Sequence, residues 1–219
     1  MSRPAGDADK RLIRAAIDMI PQGGMAGLSV RRVAAQAGVN LGMYHYHFKA
    51  KKEFQRQILA SVYETFFSRL TGALEGAGGK SPRERLKKTV MAAGVFIREN
   101  RALLMGLARD LLADDPEVIR FVRINFPRHV VLLVRLVKEC QKAGDIRPMP
   151  MVHVLPFLFA SVIGPVFAMG FIGKILPSGL KEIPLAVIKA VIAGDNRLEE
   201  RLDMALMGLA PAGRGGGKT

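Results

Sequence analysis

Apolar positions along the chain recur at the spacing of helices almost throughout. Leu12, Ala15, Ala16, Met19 and Ile20 fall on one face of a first helix that ends near Pro21 and a Gly-Gly pair. Ser29 is a good N-cap for a short second helix, VRRVAAQ, whose Val30 and Val33 face inward. AGV makes a turn, and Asn40 can cap a third helix that reaches Tyr46 or His47. A fourth begins near Lys51 and runs to about Leu70, with Phe54, Ile58 and Val62 on one stripe. EGAGGKSP, residues 75–82, reads as a loop.

Beyond it the same period continues. PRERLKKTVMAAGVFIREN and ALLMGLARDLLA are helices, and Pro116 fits the first turn of a long one that Pro127 should kink. DIRP breaks the pattern before a strongly apolar stretch at 151–173, which LPSGL ends. A short helix near 184–192 and a last amphipathic helix follow, the latter aligning Leu198, Leu202, Ala205, Leu206 and Leu209. Residues 1–8 and the tail 211–219 carry no such pattern and are expected to be disordered. With no strand and no repeat, the expected class is all-α.

Two short helices joined by a three-residue turn, behind a longer helix, make a helix-turn-helix. In that motif the second short helix enters the major groove and its N-terminal residues reach base edges. Here these are Asn40, Leu41 and Met43, and the lysines of AGVNLGMYHYHFKAKKEF follow at the start of the next helix. A helix N-terminus adds its own unpaired N–H groups to such a phosphate contact.

Charge supports this reading. The chain of 219 residues has a formal net charge of +14, which suggests an anionic partner. Residues 1–52 hold nine basic and three acidic side chains, so the N-terminal quarter is the more basic per residue.

Residues 8–58 resemble the DNA-binding domain of TetR-family transcriptional regulators. The family pattern, S-V-R-x-[IV]-A-x-x-A-G-V-S-x-G-x-[LIF]-Y-x-[HY]-F-x-x-K-x-x-[LF], stands here as SVRRVAAQAGVNLGMYHYHFKAKKEF. Arg32 replaces a frequent acid, Leu41 a common polar or basic residue, Ala50 a capping Ser or Thr, and His45 the usual phosphate-contacting Tyr.

The resemblance implies DNA contacts from Arg31, Met43, Tyr44, His45, Tyr46 and Lys51. It also implies a helix-turn-helix domain, placed at 8–54, and a helical ligand-binding and dimerisation domain at 55–210. The expected protein is a cytoplasmic homodimeric repressor that binds a pseudo-palindromic double-stranded operator and is released by a small-molecule effector. Met91, Phe96, Met105, Phe121, Asn125 and Phe157 are candidates to line an effector cavity. Arg109, Arg123 and Arg128 are candidates to hold an anionic group. Met and Phe suit a lipophilic ligand; for each residue, ordinary core or surface is an equal alternative.

Other chemistries find less support. His45 and His47 stand two apart and point in different directions on a helix, and no Cys or carboxylate cluster completes a metal site. No spacing suggests a catalytic triad and no Gly-rich phosphate loop occurs, so neither an enzyme nor a cofactor is expected. Cys140 is alone, which excludes an internal disulfide and fits a reducing compartment.

Two alternatives remain open. From His153 to Gly173 the chain has no charged residue and is long enough to span a membrane. Pro156, Gly164, Pro165 and Gly170 interrupt it, which favours a buried dimer helix over a single span. A nonspecific nucleic-acid binder would share the basic composition.

Overall fold

In the computed structural model, described for residues 7–168 and 195–212, the chain is helical with no strand among those residues. The helices are α1 (Ala8–Gly23), α2 (Val30–Ala37), α3 (Leu41–His47), α4 (Lys51–Glu75), α5 (Pro82–Glu99), α6 (Arg101–Leu112), α7 (Pro116–Lys142), α8 (Met151–Val162) and α9 (Asp195–Gly208). Residues 169–173 of the apolar stretch, the expected helix at 184–192 and most of the expected tail lie outside the described residues.

Local chemistry accounts for several boundaries. Asn40 caps α3 by accepting a hydrogen bond from the Met43 N–H at 2.8 Å. Ser81 caps α5 by accepting from the Glu84 N–H, with Pro82 in the first turn. The Asp115 carboxylate accepts from the N–H groups of Glu117 and Val118, both at 3.0 Å, and so caps α7. Ser29 stands before α2 in the expected place, but its hydroxyl makes no capping bond. Pro21 and Pro127 both lie inside helices, and α1 runs past its proline to Gly23.

The chain divides into two compact units, residues 1–66 with 102–127 and residues 67–101 with 128–219. In the first unit α1 packs on α2 and α3 around Leu12, Ala16, Ile20, Val33, Phe48 and Ile58, all buried. This unit also takes in α6 and the start of α7. Gly106 of α6 meets Ile20 so closely that a Cβ there would lie 2.7 Å from the Ile20 carbonyl oxygen. The nearby Asp110 carboxylate is buried and accepts a hydrogen bond from the Met25 N–H at 2.7 Å. At the start of α7, Glu117 is buried and accepts from the Arg56 Nε of α4 at 2.8 Å.

In the second unit α9 packs on α5 and α8. Gly94 makes room, since a Cβ there would lie 3.2 Å from Val162 and 3.7 Å from Leu198. Lys87 of α5 pairs with Glu199 and Asp203 of α9, each at 2.8 Å. The stripe Leu198, Leu202, Ala205, Leu206 and Leu209 is buried within this unit. These side chains fill the core of this unit, so they are not a face left waiting for a partner. The exposed apolar residues lie on other faces: Val152, Phe157 and Phe159 of α8, and Met204 and Met207 of α9.

Cys140 is buried, and its thiol is pushed up to about 11 by burial, reinforced by Asp145 and Glu139. A thiol held protonated in this way is chemically inert. No described helix is long and apolar enough to cross a membrane; the described part of the apolar run is broken at Val162, where α8 ends.

Candidate nucleic-acid interface

The turn between α2 and α3 is built to hold α3 at a fixed angle. Gly38 adopts φ +61°, a left-handed conformation that a glycine takes without a Cβ penalty. The Val39 N–H then reaches back to the Ala34 carbonyl at 3.0 Å and closes the end of α2. Arg11 of α1 donates to the carbonyls of Ala37 and Gly38, both at 3.3 Å, so the long helix grips the turn directly.

α3 is divided sharply by burial. Tyr44 is 2 % exposed and packs against Phe48 and Phe54, with ring centroids 5.4 and 5.2 Å away, while the Phe48 and Phe54 rings meet at 4.6 Å with their planes tilted by 57°. On the other side Leu41 and His45 are exposed, and Tyr46 is 79 % exposed. Met43 and His47 are half-buried. The aromatics of the motif thus have two separate tasks: three rings form the core under the helix, and His45 and Tyr46 stand outside it.

This corrects the expectation for Tyr44. Its ring is enclosed, its hydroxyl makes no hydrogen bond, and burial raises its pKa. It cannot reach a phosphate or a base without leaving the core, so its role is to seat α3. The family pattern has Leu, Ile or Phe at this position, and that apolar slot was the signal in the sequence. Asn40 is exposed, but its side-chain oxygen is committed to the α3 cap, which leaves its amide NH2 as the outward group.

The remaining candidates lie at the surface. Arg31 and Arg32 project from α2, and Lys49, Lys51 and Lys52 surround the start of α4, all exposed. No acidic residue occurs from Met19 to Lys52. Lys52 lies 3.9 Å from Glu117 and is therefore partly neutralised. Lys51 begins a helix of 25 residues behind Ala50, which has no side-chain oxygen to cap it. The first N–H groups of α4 are thus open to an anion.

Among the described residues no group of three or more His, Cys, Asp or Glu side chains is placed to hold a metal ion. The face is one of cations, hydrogen-bond donors and protruding side chains, with nothing arranged for nucleophilic or acid–base work.

Residues 12–58 match the family described as "Bacterial regulatory proteins, tetR family". The helix-turn-helix domain belongs to that family. A chain with this domain is a DNA-binding transcription regulator of the helix-turn-helix class, and such regulators are not enzymes. Among curated relatives of this chain, "Probable HTH-type transcriptional regulator YttP" of Bacillus subtilis is 22 % identical over 166 residues, 76 % of this chain and 80 % of that protein. The HTH-type transcriptional repressor KstR2 of Mycolicibacterium smegmatis is 28 % identical over 149 residues, 67 % of this chain and 71 % of its own. Among solved structures, the ketosteroid transcriptional regulator KstR2 of Mycobacterium tuberculosis superposes with a TM-score of 0.65 at 20 % identity, covering 93 % of this chain and 95 % of that one. That likeness shows the fold.

The effector-site candidates are divided between the two units. Met105, Arg109, Phe121 and Asn125 belong to the first. There Phe121 and Asn125 gather at Tyr63, whose hydroxyl donates to the Asn125 carbonyl at 2.7 Å and whose ring meets Phe121 edge-on at 6.0 Å. Arg109 is exposed and Met105 half-buried. Met91, Phe96, Arg128 and Phe157 belong to the second. Phe96 is buried beneath the Arg69 guanidinium at 5.4 Å, Arg128 lies over the Phe67 ring at 4.3 Å, and Phe157 is among the exposed residues of α8.

Proposed function

We propose that this TetR-family regulator is a homodimeric repressor that binds a pseudo-palindromic operator and releases it on binding a small lipophilic effector. The observation that carries the DNA-docking part is the division of α3. Tyr44 fastens one side of the helix to the core, and Leu41, His45 and Tyr46 occupy the other, flanked by exposed cations from α2 and α4. Base readout is assigned to the first turn, Asn40, Leu41 and Met43. Arg31, His45, Tyr46 and Lys51 are assigned to phosphates. Leu41, where a polar or basic residue is common in the family, favours apolar contact such as that with a thymine methyl.

A two-fold protein requires a two-fold site, with half-sites about one helical turn or a multiple of it apart. The exposed apolar residues of α8 and α9 are the surface we assign to the dimer. For the effector, the name of KstR2 as a ketosteroid regulator supports a lipophilic class, as do the Met and Phe candidates. Arg109 or Arg128 would pair with a carboxylate if it carries one. An effector releases DNA only to the extent that it binds the two states of the dimer unequally.

The test is selection of duplexes from a random library, followed by footprinting of the selected sequence where it occurs beside the protein's own gene. A two-fold symmetric footprint is expected. Lys51→Ala should weaken all duplexes alike and reduce the salt slope by about 0.9, the loss of one phosphate contact. Binding of every sequence with equal affinity would overturn the reading in favour of a nonspecific binder. A thermal-shift screen of fatty acids, aromatic acids and steroid acids tests the effector: a ligand at a hundredfold excess over its Kd stabilises by about 2.7 kcal/mol.

A further inference from the structure

The first unit holds two buried carboxylates that the DNA face does not use. Asp110, at the end of α6, is 6 % exposed. It bonds the Met25 N–H, and it fills the space beside Gly24, where an added Cβ would lie 2.2 Å from its Oδ1. Gly24 has φ +67°, so the turn after α1 is shaped around this carboxylate. Glu117, near the start of α7, is 8 % exposed; it takes Arg56 of α4 at 2.8 Å and lies 3.9 Å from Lys52. One carboxylate therefore grips the chain just before α2 and the other grips the first turns of α4, on either side of the helix-turn-helix.

Burying a carboxylate is unfavourable unless it is bonded, so each contact has a narrow geometry and is costly to leave half-made. The segment that bears both, α6 and the start of α7, groups with the helix-turn-helix although it lies more than 50 residues downstream of it.

We propose that Asp110 and Glu117 are positioning residues: a two-point clamp that sets the pose of α3 on the α6–α7 segment, and thereby the half-site spacing the dimer accepts. The proposal rests on the DNA-docking reading above. Neither residue touches DNA in this scheme. Loosening either leaves α3 intact as a reader of one half-site but lets it be presented over a wider range of positions. The preference for one spacing then weakens.

The experiment compares wild type with Asp110→Asn, Glu117→Gln and the double variant. The DNA is a duplex that the wild type selects from a random library, a duplex with one of its half-sites scrambled, and versions whose spacer is changed by one or two base pairs. Each substitution keeps side-chain volume and one acceptor oxygen, so both single variants should remain folded. Affinity for the selected duplex should fall roughly tenfold, a coupling of the size usual between linked sites, while single half-site affinity does not fall, and rises slightly in Glu117→Gln as Lys52 is freed, and the penalty for altered spacing shrinks. Amide exchange supplies a second measurement, in which the Met25 N–H should exchange faster in Asp110→Asn while buried α1 amides do not. A purely structural role would lower half-site and full-site binding together.

Folded variants with the wild-type spacing preference, or an unchanged Met25 exchange rate in Asp110→Asn, would overturn the clamp alone. A wild type that selects no two-fold duplex would overturn the docking reading and the clamp with it.

Discussion

At the residue scale, the neighbours Tyr44 and His45 show how one motif carries two kinds of side chain. Truncating Tyr44 removes the ring that Phe48 and Phe54 pack on, so Tyr44→Ala should destabilise the protein by roughly 3–5 kcal/mol, as large-to-small core changes do. Tyr44→Phe deletes only a hydroxyl that makes no hydrogen bond, and stability and DNA binding should both be kept. The opposite pattern is expected of His45→Ala, which should leave the melting temperature almost unchanged and strip DNA affinity. Thermal melts with titrations of a selected duplex check all three. A folded Tyr44→Ala protein that has merely lost DNA binding would return Tyr44 to the contact surface. The sequence supported both assignments because Tyr suits core and phosphate alike. Only the position within the turn of α3 separates them, and a register shift of one residue along a helix turns a side chain by about 100°.

At the element scale, the short helices depend on their ends. Asn40→Ala removes the oxygen that holds the Met43 N–H and should destabilise by about 1 kcal/mol, whereas Asn40→Ser restores most of it. Ser29→Ala should change stability by less than about 0.5 kcal/mol, because the Ser29 hydroxyl makes no cap. Equal losses in chemical denaturation at the two positions would contradict this contrast. The join between α4 and α7 has a pH signature. The Arg56 hydrogen bond, with the charges of Arg56, Lys52 and Arg120, holds the Glu117 carboxyl below its ordinary value of 4.5 against the opposing effect of burial. A depressed carboxylate stabilises the fold above its unfolded pKa and loses that contribution as pH falls through the folded value. The stability advantage of wild type over Glu117→Gln should therefore be constant around neutral pH and shrink below about pH 4.5, read by urea denaturation across pH. The helices were legible because each announces itself through local spacing and caps. The attachment of α6 and the start of α7 to the first unit was not, because it depends on Asp110 meeting Met25 and Glu117 meeting Arg56, pairs whose members stand far apart in the chain.

At the scale of the whole molecule, the question is which apolar surface a second copy would cover. Hydrophobic periodicity cannot distinguish a stripe that packs inside its own subunit from one that packs on a partner, since both are regular and apolar. The Leu198, Leu202 and Leu206 stripe of α9 illustrates this: all three side chains are buried against the subunit's own helices. The methionines on the other side of α9 are the exposed ones, Met204 at 61 % and Met207 at 62 %, and Val152 and Phe159 are exposed on α8. Monomeric proteins rarely expose contiguous apolar patches larger than a few hundred Å², and obligate dimer interfaces bury on the order of 2,000 Å² or more. The two faces of α9 should therefore respond differently to a charge. Leu202→Glu places an unpaired carboxylate in a packed core and should prevent folding or cause aggregation. Met204→Glu with Met207→Glu places charges on the exposed face, and should yield a folded, helical monomer that binds the selected duplex far more weakly than wild type. Light scattering at micromolar concentration, with circular dichroism on the same samples, separates these outcomes. A dimeric double-methionine variant with full DNA affinity would move the interface to another part of the surface, and the exposed Val131 of α7 would be the next residue to charge.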